Sequence, residues 1–284
     1  MRTAVALAVG AVLGVVLWQA LRPTFAQPLF ARENYRGHRL PVAAGLVIVF
    51  STLVASGVWL LVVAGRDRQP IEPVLWSTAM VAGGMGLLGL LDDLAGSGGS
   101  RGFAGHVGAL RRGELTTGIV KLVGGGAVAV IAVASATDDG PGGLLVRAAV
   151  VALAANLGNL FDRAPGRVIK VAVTGFAVVA VAARDDVALA GPAIPVGAGL
   201  ALLLPDLRER CMLGDTGANV LGAAAGLAIA LTATTATAIA VAVVLAAFNA
   251  ASEWVSFSRV IDRIAPLRWV DRLGAPHRPA RPSR

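Results

Sequence analysis

The chain has few of the residues on which small disulfide-bonded and soluble folds depend. Its 284 residues include one cysteine, and aromatic residues make up only 5% of them. A single cysteine excludes an intramolecular disulfide bond. Charged residues make up 15% and apolar residues 56% of the chain, and the mean hydropathy is +0.74. These values exclude an ordinary soluble domain and a disordered chain, and they indicate a membrane protein.

Lysine is also scarce, because Lys121 and Lys170 are the only two lysines beside 23 arginines. The formal net charge is +8, which in a soluble protein would suggest nucleic acid as a partner. In a chain this apolar, a basic surface beside the membrane that attracts anionic lipid or phosphate is the better interpretation, and no nucleic acid is expected. Walker, nucleophile-elbow and HExxH motifs are missing, so the sequence gives no sign of those chemistries.

Long runs without charge are what the chain does have, and they predict an all-α, polytopic transmembrane bundle. About 20 apolar residues are needed to cross a bilayer. Nine spans are predicted: 3–21, 40–65, 73–91, 122–137, 148–161, 171–183, 187–205 and two within 216–252, with a turn near Thr232–Thr237. The first is interpreted as a retained span, not a cleaved signal peptide. Residues 1–258 then form the catalytic membrane domain, and residues 259–284 form a basic tail.

The positive-inside rule gives this bundle an orientation. With nine spans, 20 basic residues fall on one side and five on the other. The predicted N-terminus therefore lies outside, and the tail lies in the cytosol. The loops after the first, third, fifth and seventh spans are also cytosolic. We therefore expect a multi-pass protein of the plasma (inner) membrane, with a cytosolic active site.

Acidic residues border several of the apolar runs. Asp92 and Asp93 end the 19-residue uncharged run Pro73–Leu91. A helix C-terminus disfavours negative charge, so two carboxylates there need compensation. One interpretation is a solvated helix end. The other is a Mg²⁺ site, because Mg²⁺ favours one or two carboxylates together with substrate phosphates.

Other polar groups stand at predicted span ends on the same side. Asn156, Asn159 and Asp162 follow one another at i, i+3 and i+6, which suits either helix–helix hydrogen bonds or a polar slot. Asp215 opens a helix, where it is either an ordinary N-cap or a metal ligand beside backbone amides. Lys121 and Lys170 each begin a span, as membrane-surface side chains or as point charges on phosphate.

These motifs, in this order, resemble the polyprenyl-phosphate N-acetylhexosamine-1-phosphate transferase family. That family includes phospho-N-acetylmuramoyl-pentapeptide transferase and the UDP-GlcNAc:undecaprenyl-phosphate enzymes. The similarity covers nearly the whole chain. The matching segments are Tyr35-Arg36-Gly37-His38-Arg39-Leu40-Pro41, Leu91-Asp92-Asp93, Lys121-Leu122, the Asn156–Asp162 NxxNLxD pattern and Gly214-Asp215-Thr216-Gly217-Ala218-Asn219.

The resemblance implies a function and a role for each group. A polyprenyl phosphate would attack the β-phosphorus of a UDP-sugar and release UMP, as in the synthesis of lipid precursors for peptidoglycan or surface glycans. The cofactor would be Mg²⁺, with Mn²⁺ as an alternative, and a homodimer is left open. Metal ligands would be Asp215 and Asp92. Catalytic groups would be Asp92, Asp93 and Lys121. Substrate-binding groups would be His38, Asn156, Asn159, Asp162, Arg163, Arg167 and Lys170.

The chain departs from the family pattern in three places. A basic turn, Arg163–Arg167, replaces a GLDG-like segment and would read a different sugar or diphosphate. The His-rich segment is reduced to Ala275–Pro279, and no tenth apolar run follows. Two alternatives therefore stand beside the enzyme: a catalytically inactive scaffold that retains the fold, and a transporter. A transporter would place charges near the midplane, whereas here they border the runs.

Overall fold

A computed structural model of the protein describes residues 2–63, 71–95, 117–184 and 186–275. This part of the chain is an all-α bundle with one short hairpin. The helices are α1 (Arg2–Phe25), α2 (Leu46–Val63), α3 (Ile71–Ala95), α4 (Thr117–Ala134), α5 (Pro141–Phe161), α6 (Arg167–Ala182), α7 (Ala190–Leu207), α8 (Gly214–Thr232), α9 (Thr235–Ala251), α10 (Phe257–Arg263) and α11 (Ala265–Arg272). Strands β1 (Ala31–Glu33) and β2 (Arg39–Pro41) pair antiparallel between α1 and α2.

Six of these helices are long and apolar enough to cross a membrane: α1, α2, α3, α5, α7 and α8. The all-α prediction is thus confirmed for the described residues. Helices α4 and α9 are also apolar but shorter, and α6 has 16 residues. Each of the nine predicted runs overlaps a helix of the described residues. The count of nine spans, the orientation and the choice of membrane stay predictions.

The start of the second predicted span was placed too early. Leu40 and Pro41 belong to β2, where they pair with Arg32 and Ala31. The backbone then turns at Ala43, which has a φ of +60°, and α2 begins at Leu46. The hairpin therefore uses apolar residues that a hydropathy pattern assigns to the membrane.

The predicted turn between the last two apolar helices is confirmed. Helix α8 ends at Thr232 and α9 begins at Thr235. Thr234 caps α9, because its hydroxyl oxygen accepts a hydrogen bond from the Thr237 amide at 3.2 Å. A cluster of β-branched polar residues here ends one helix and starts the next.

Helix α8 lies at the centre of the bundle and packs closely against α5. Small residues at the contact permit this approach, as is usual between helices in lipid. A Cβ on Gly222 would lie 2.3 Å from the backbone carbonyl oxygen of Ala154. A Cβ on Gly158 would lie 2.5 Å from the backbone carbonyl oxygen of Ala218. Packing this close fixes how the beginning of α8 sits beside the end of α5.

The predicted boundary between membrane domain and tail falls inside α10, which begins at Phe257. Residues 264–275 continue as α11 and a turn that packs against the start of α6. The basic residues of the predicted loop 96–116, and the tail from 276 onwards, lie outside the described residues. The division at residue 258 remains a prediction.

Candidate functional site

One end of the bundle brings acidic side chains from two helices around a single lysine on a third. The Lys121 ammonium donates a hydrogen bond to Asp92 Oδ2 at 3.1 Å and also pairs with Asp215 Oδ2. Asn159 Nδ2 donates to the same Asp215 oxygen at 3.1 Å. We call Asp92, Lys121, Asn159 and Asp215 the Lys121 site. It gathers residues up to 123 positions apart in sequence, from the ends of α3 and α5 and the beginnings of α4 and α8.

Asp93 stands beside the Lys121 site but has a distinct task. Its Oδ1 accepts a hydrogen bond from the Asp215 amide at 2.9 Å. Its Oδ2 accepts from the Thr216 amide at 3.0 Å and from the Thr216 hydroxyl at 2.6 Å. Asp93 thus caps the N-terminus of α8 from another helix, where the helix dipole favours a negative charge.

The close approach of α3 to α8 depends on two glycines. A Cβ on Gly89 would lie 2.4 Å from the backbone carbonyl oxygen of Asp215, so any larger side chain would push the helices apart. Gly214 has a φ of +72°, and a Cβ there would lie 2.5 Å from Asp93 Oδ2. Glycine at both positions lets the Asp93 carboxylate reach the first amides of α8.

The Lys121 site holds more negative than positive charge. One ammonium faces two carboxylates, and the Asp93 carboxylate lies next to them. The side chains of Lys121, Asp92 and Asp215 are 20%, 27% and 23% exposed, so all three are partly accessible. Carboxylates this close repel one another unless a further cation joins them.

Asp162 adds to this acidic environment. It is half-buried at the end of α5, and burial raises the pKa of its carboxyl well above the usual value. The neighbouring carboxylates of Asp206 and Asp215 raise the pKa further. The structure therefore brings Asp162 close enough to the Lys121 site to interact electrostatically.

The carboxylate oxygens of the Lys121 site are of the kind that a hard divalent cation prefers. No group of three or more His, Cys, Asp or Glu side chains forms a ready-made metal cluster in the described residues. Both oxygens of Asp93 are engaged in capping α8. The acidic oxygen ligands that the site could offer a cation are the Asp92 and Asp215 carboxylates, which face Lys121. Mg²⁺ is commonly held by one or two carboxylates plus water and phosphate oxygens, and Mn²⁺ accepts the same ligands.

Asn156 and Arg163, both predicted to bind substrate, lie apart from the hydrogen bonds of the Lys121 site. Asn156 Nδ2 donates to Asn249 Oδ1 at 2.5 Å, and Asn249 Nδ2 donates to the Leu153 oxygen at 3.1 Å. Asn156 thus makes the helix–helix hydrogen bond that was the alternative interpretation. Arg163 is exposed on the turn after α5. Substrate binding by either residue stays a prediction.

Arg167 and Lys170 contact the C-terminal segment. Arg167 makes two hydrogen bonds to the Asp271 carboxylate, at 2.7 and 3.0 Å, and both side chains are about 95% buried. Lys170 donates to three backbone oxygens at the end of α11. These contacts account for both residues structurally, and their predicted substrate contacts are not tested by them.

His38 lies in the turn that joins β1 to β2. Its side chain is 64% exposed, and its Nδ1 lies 3.8 Å from Glu209 Oε2. Glu209 also accepts a hydrogen bond from the Tyr35 hydroxyl at 3.1 Å and pairs with Arg36 at 3.3 Å. The structure therefore docks the hairpin on the loop between α7 and α8 through Glu209.

Asp206 is a site-forming residue that sequence reasoning missed. It is 5% exposed, and its Oδ2 accepts a hydrogen bond at 2.6 Å from the amide of Gly166, which precedes α6. This bond fixes the turn that follows Asp162. The signal was present, since Asp206 directly follows the apolar run 187–205, just as Asp92 follows its own.

Neither the family models nor the curated proteins compared with this chain gave a match.

Proposed function

We propose that the protein is a Mg²⁺-dependent membrane transferase that moves a sugar 1-phosphate from a UDP-N-acetylhexosamine-type donor to a polyprenyl phosphate. The observation that carries this proposal is the Lys121 site, where a lysine and two carboxylates from three helices meet at one end of the bundle. The choice of substrates rests on the resemblance of the motifs around these residues. The proposed location is the cytosolic face of the plasma membrane, in the synthesis of cell-wall or surface-glycan lipids.

In the proposed reaction, an oxygen of the polyprenyl phosphate attacks the β-phosphorus of the UDP-sugar. The new phosphorus–oxygen bond forms as the bond to the bridging pyrophosphate oxygen breaks. UMP leaves with that oxygen, and the product is a polyprenyl diphosphate sugar. Phosphoryl transfer of this kind depends mostly on positioning and on neutralising charge.

Each residue of the Lys121 site has a task in this proposal. Asp92 and Asp215 would hold the divalent cation, which would supply Lewis-acid stabilisation of the charge on the phosphates. The Lys121 ammonium would contact a phosphate oxygen. Asn159 holds the orientation of the Asp215 carboxylate through its 3.1 Å hydrogen bond. Asp93 positions Asp215 by capping α8, so it acts on the reaction indirectly.

The test is the substitution Asp215→Asn, assayed as Mg²⁺-dependent release of UMP in detergent. We expect a loss of roughly 10²–10³-fold, because a charge that stabilises the transition state is removed. Asp139→Asn is the matched control, since Asp139 pairs with Arg147 at the opposite end of the bundle. Unchanged turnover in Asp215→Asn would exclude the metal assignment. A panel of UDP-sugars with the unaltered protein would identify the donor.

A catalytically inactive scaffold is the second candidate. The observation in its favour is that Lys121 already pairs with both carboxylates. A scaffold would bind polyprenyl phosphate or a nucleotide sugar without releasing UMP. Binding by isothermal calorimetry with no turnover, across the whole UDP-sugar panel, would favour the scaffold over the enzyme.

A further inference from the structure

Helix α11 is attached to the bundle by its polar side. Asp271 is 5% exposed and accepts two hydrogen bonds from the Arg167 guanidinium, which also donates to the Ser258 hydroxyl at 2.8 Å. Lys170 donates to the backbone oxygens of Val270, Asp271 and Leu273, at 2.7 to 3.1 Å. A buried, bidentate pair of this kind is strong in geometry and specific in direction. It fixes which face of α11 turns toward the protein.

The apolar side chains of α11 point away from the protein. Leu267, Trp269, Val270 and Leu273 are 46%, 66%, 49% and 54% exposed. At 3.6 residues per turn Trp269 and Val270 lie on the side of the helix turned away from Asp271, whereas Leu267 lies on the same side as Asp271. Leu273 directly follows the last helical residue. A helix on a water-soluble protein does the reverse, because it buries its apolar face and exposes its charges. The orientation of α11 therefore indicates that its outer face meets something other than water.

The exposed apolar surface extends beyond α11. Trp254 is 82% exposed in the link after α9, and Ile264 is 44% exposed between α10 and α11. Both belong to the same C-terminal segment, which directly follows an apolar helix of the bundle. Several exposed apolar side chains in one short segment mark an interaction site, and tryptophan is enriched at the boundary between membrane and water.

The positive charge of this segment indicates which kind of partner binds the exposed apolar surface. Residues 254–273 carry four arginines, Arg259, Arg263, Arg268 and Arg272, against Asp262 and Asp271. Asp271 is already neutralised by Arg167, and Asp262 lies 3.9 Å from Arg272. The segment therefore keeps a positive charge beside its apolar face. An apolar face flanked by arginines is complementary to an anionic lipid surface.

We propose that residues 254–273 form an interfacial membrane-binding segment. The apolar face of α11 lies in the boundary between headgroups and acyl chains, and the arginines contact anionic phospholipid headgroups. The Arg167–Asp271 pair holds the segment at the same end of the bundle as the Lys121 site. The proposal concerns a surface and a lipid, and it stands whether or not the protein is a transferase.

The test measures the depth of labelled positions in lipid nanodiscs that contain the full chain. Trp269→Cys and Leu273→Cys would each carry a polarity-sensitive fluorophore, and Arg272→Cys is the matched control on the polar side. The native Cys211 is 1% exposed, so labelling is directed to the new thiols. We expect the first two probes to be quenched by brominated acyl chains at a depth of roughly 5–10 Å, with little quenching of the third.

Two outcomes would overturn the proposal. One is equal quenching of all three probes, or none at position 269. The other is disulfide cross-linking between Trp269→Cys chains with no lipid quenching, which would assign the face to a second copy. All of the substituted side chains are more than half exposed, so these variants do not depend on a repacked core.

A second arm tests the preference for anionic lipid. Quenching at position 273 would be compared in nanodiscs of phosphatidylcholine and of phosphatidylcholine with phosphatidylglycerol. We expect deeper insertion with the anionic lipid, and loss of that difference in the double variant Arg259→Gln, Arg263→Gln. Both arginines are exposed. A difference that persists in the double variant, or that is missing from the unaltered chain, would contradict a role for the arginines.

Discussion

The two ends of α8 are both stabilised by charge, in opposite ways. At its N-terminus, the Asp93 carboxylate accepts hydrogen bonds from the Asp215 and Thr216 amides. At its C-terminus, Arg147 of α5 donates to the Ala230 oxygen, and to the Ala233 oxygen at 3.0 Å. Each arrangement places the charge that the helix dipole favours.

The ends differ in whether their charges are balanced. The Arg147 Nε pairs with the Asp139 carboxylate, and its Nη1 donates to two backbone carbonyls. At the other end Lys121 is shared by two carboxylates, with a third nearby. Charges matched within the protein stabilise the fold and leave nothing for a ligand. An excess of carboxylates at an open end can bind a cation or a cationic complex.

The largest expected effect comes from breaking the balanced end. Arg147→Met should reduce the free energy of unfolding by roughly 3–5 kcal/mol, because it leaves buried carbonyls and the Asp139 carboxylate without their donor. Titration with sodium dodecyl sulfate in mixed micelles measures this change. Arg184→Gln, an exposed arginine in the loop after α6, is the matched control and should be nearly neutral. Loss of activity per folded molecule in Arg147→Met would contradict a purely structural role.

A somewhat smaller effect is expected from the cation at the unbalanced end. Mg²⁺ at about 100 times its dissociation constant should stabilise the folded protein by roughly 2–3 kcal/mol, and a chelator should remove this gain. Thermal unfolding with and without Mg²⁺ measures it without any assay of activity. At the same Mg²⁺ concentration Lys121→Gln should enlarge the Mg²⁺ response, because the competing ammonium is gone and the affinity rises. Equal responses in the two proteins would separate Lys121 from the cation site.

Removing the carboxylate that caps α8 should lower the free energy of unfolding by less than the loss of bound Mg²⁺ does. Asp93→Ala leaves two amides and one hydroxyl without their acceptor, so we expect a loss of roughly 1–2 kcal/mol in unfolding free energy. Activity should fall together with stability, since the cap positions Asp215. Gly89→Ala should give the same pair of changes by separating α3 from α8. Normal stability and activity in both variants would contradict the positioning role of Asp93.

The smallest effect should distinguish two threonines at opposite ends of α8. Thr216→Val removes the 2.6 Å hydrogen bond to Asp93 and should cost about 1 kcal/mol. Thr232→Val removes only a bond to the helix's own Ala228 oxygen and should be close to neutral. The same denaturant titration compares the two. An equal loss from both substitutions would show that the Thr216 hydrogen bond to Asp93 stabilises the protein no more than the bond from Thr232 to a carbonyl of its own helix.

Much of the candidate site could be predicted because charges beside apolar runs are costly. That rule selected Asp92, Asp93, Lys121 and Asp215, and the structure brings all four together. It could not tell a ligand from a cap. Asp92 and Asp93 are adjacent in sequence, yet one faces Lys121 and the other faces the amides of α8, because successive side chains on a helix point about 100° apart.

The contacts of Asn156, Arg167 and Lys170 could not be predicted from the sequence, for a different reason. Their partners, Asn249 and Asp271, are more than 90 residues away, and no local pattern links them. The predicted start of the second span at Leu40 was wrong for a related reason. A residue in a two-stranded hairpin and a residue in a membrane helix have the same hydropathy, and only pairing with β1 distinguishes them.

The Asp93 cap has a consequence for how the chain is inserted during synthesis. Helix α3 leaves the ribosome long before α8, since Asp93 and the Asp215 amide are 122 residues apart. Until α8 is made, the carboxylates at the end of α3 have neither those amides nor the full set of neighbours that later surround them. We therefore expect the end of nascent α3 to stay in contact with water until α8 arrives between the helices made before it, and α9 to α11 pack afterwards.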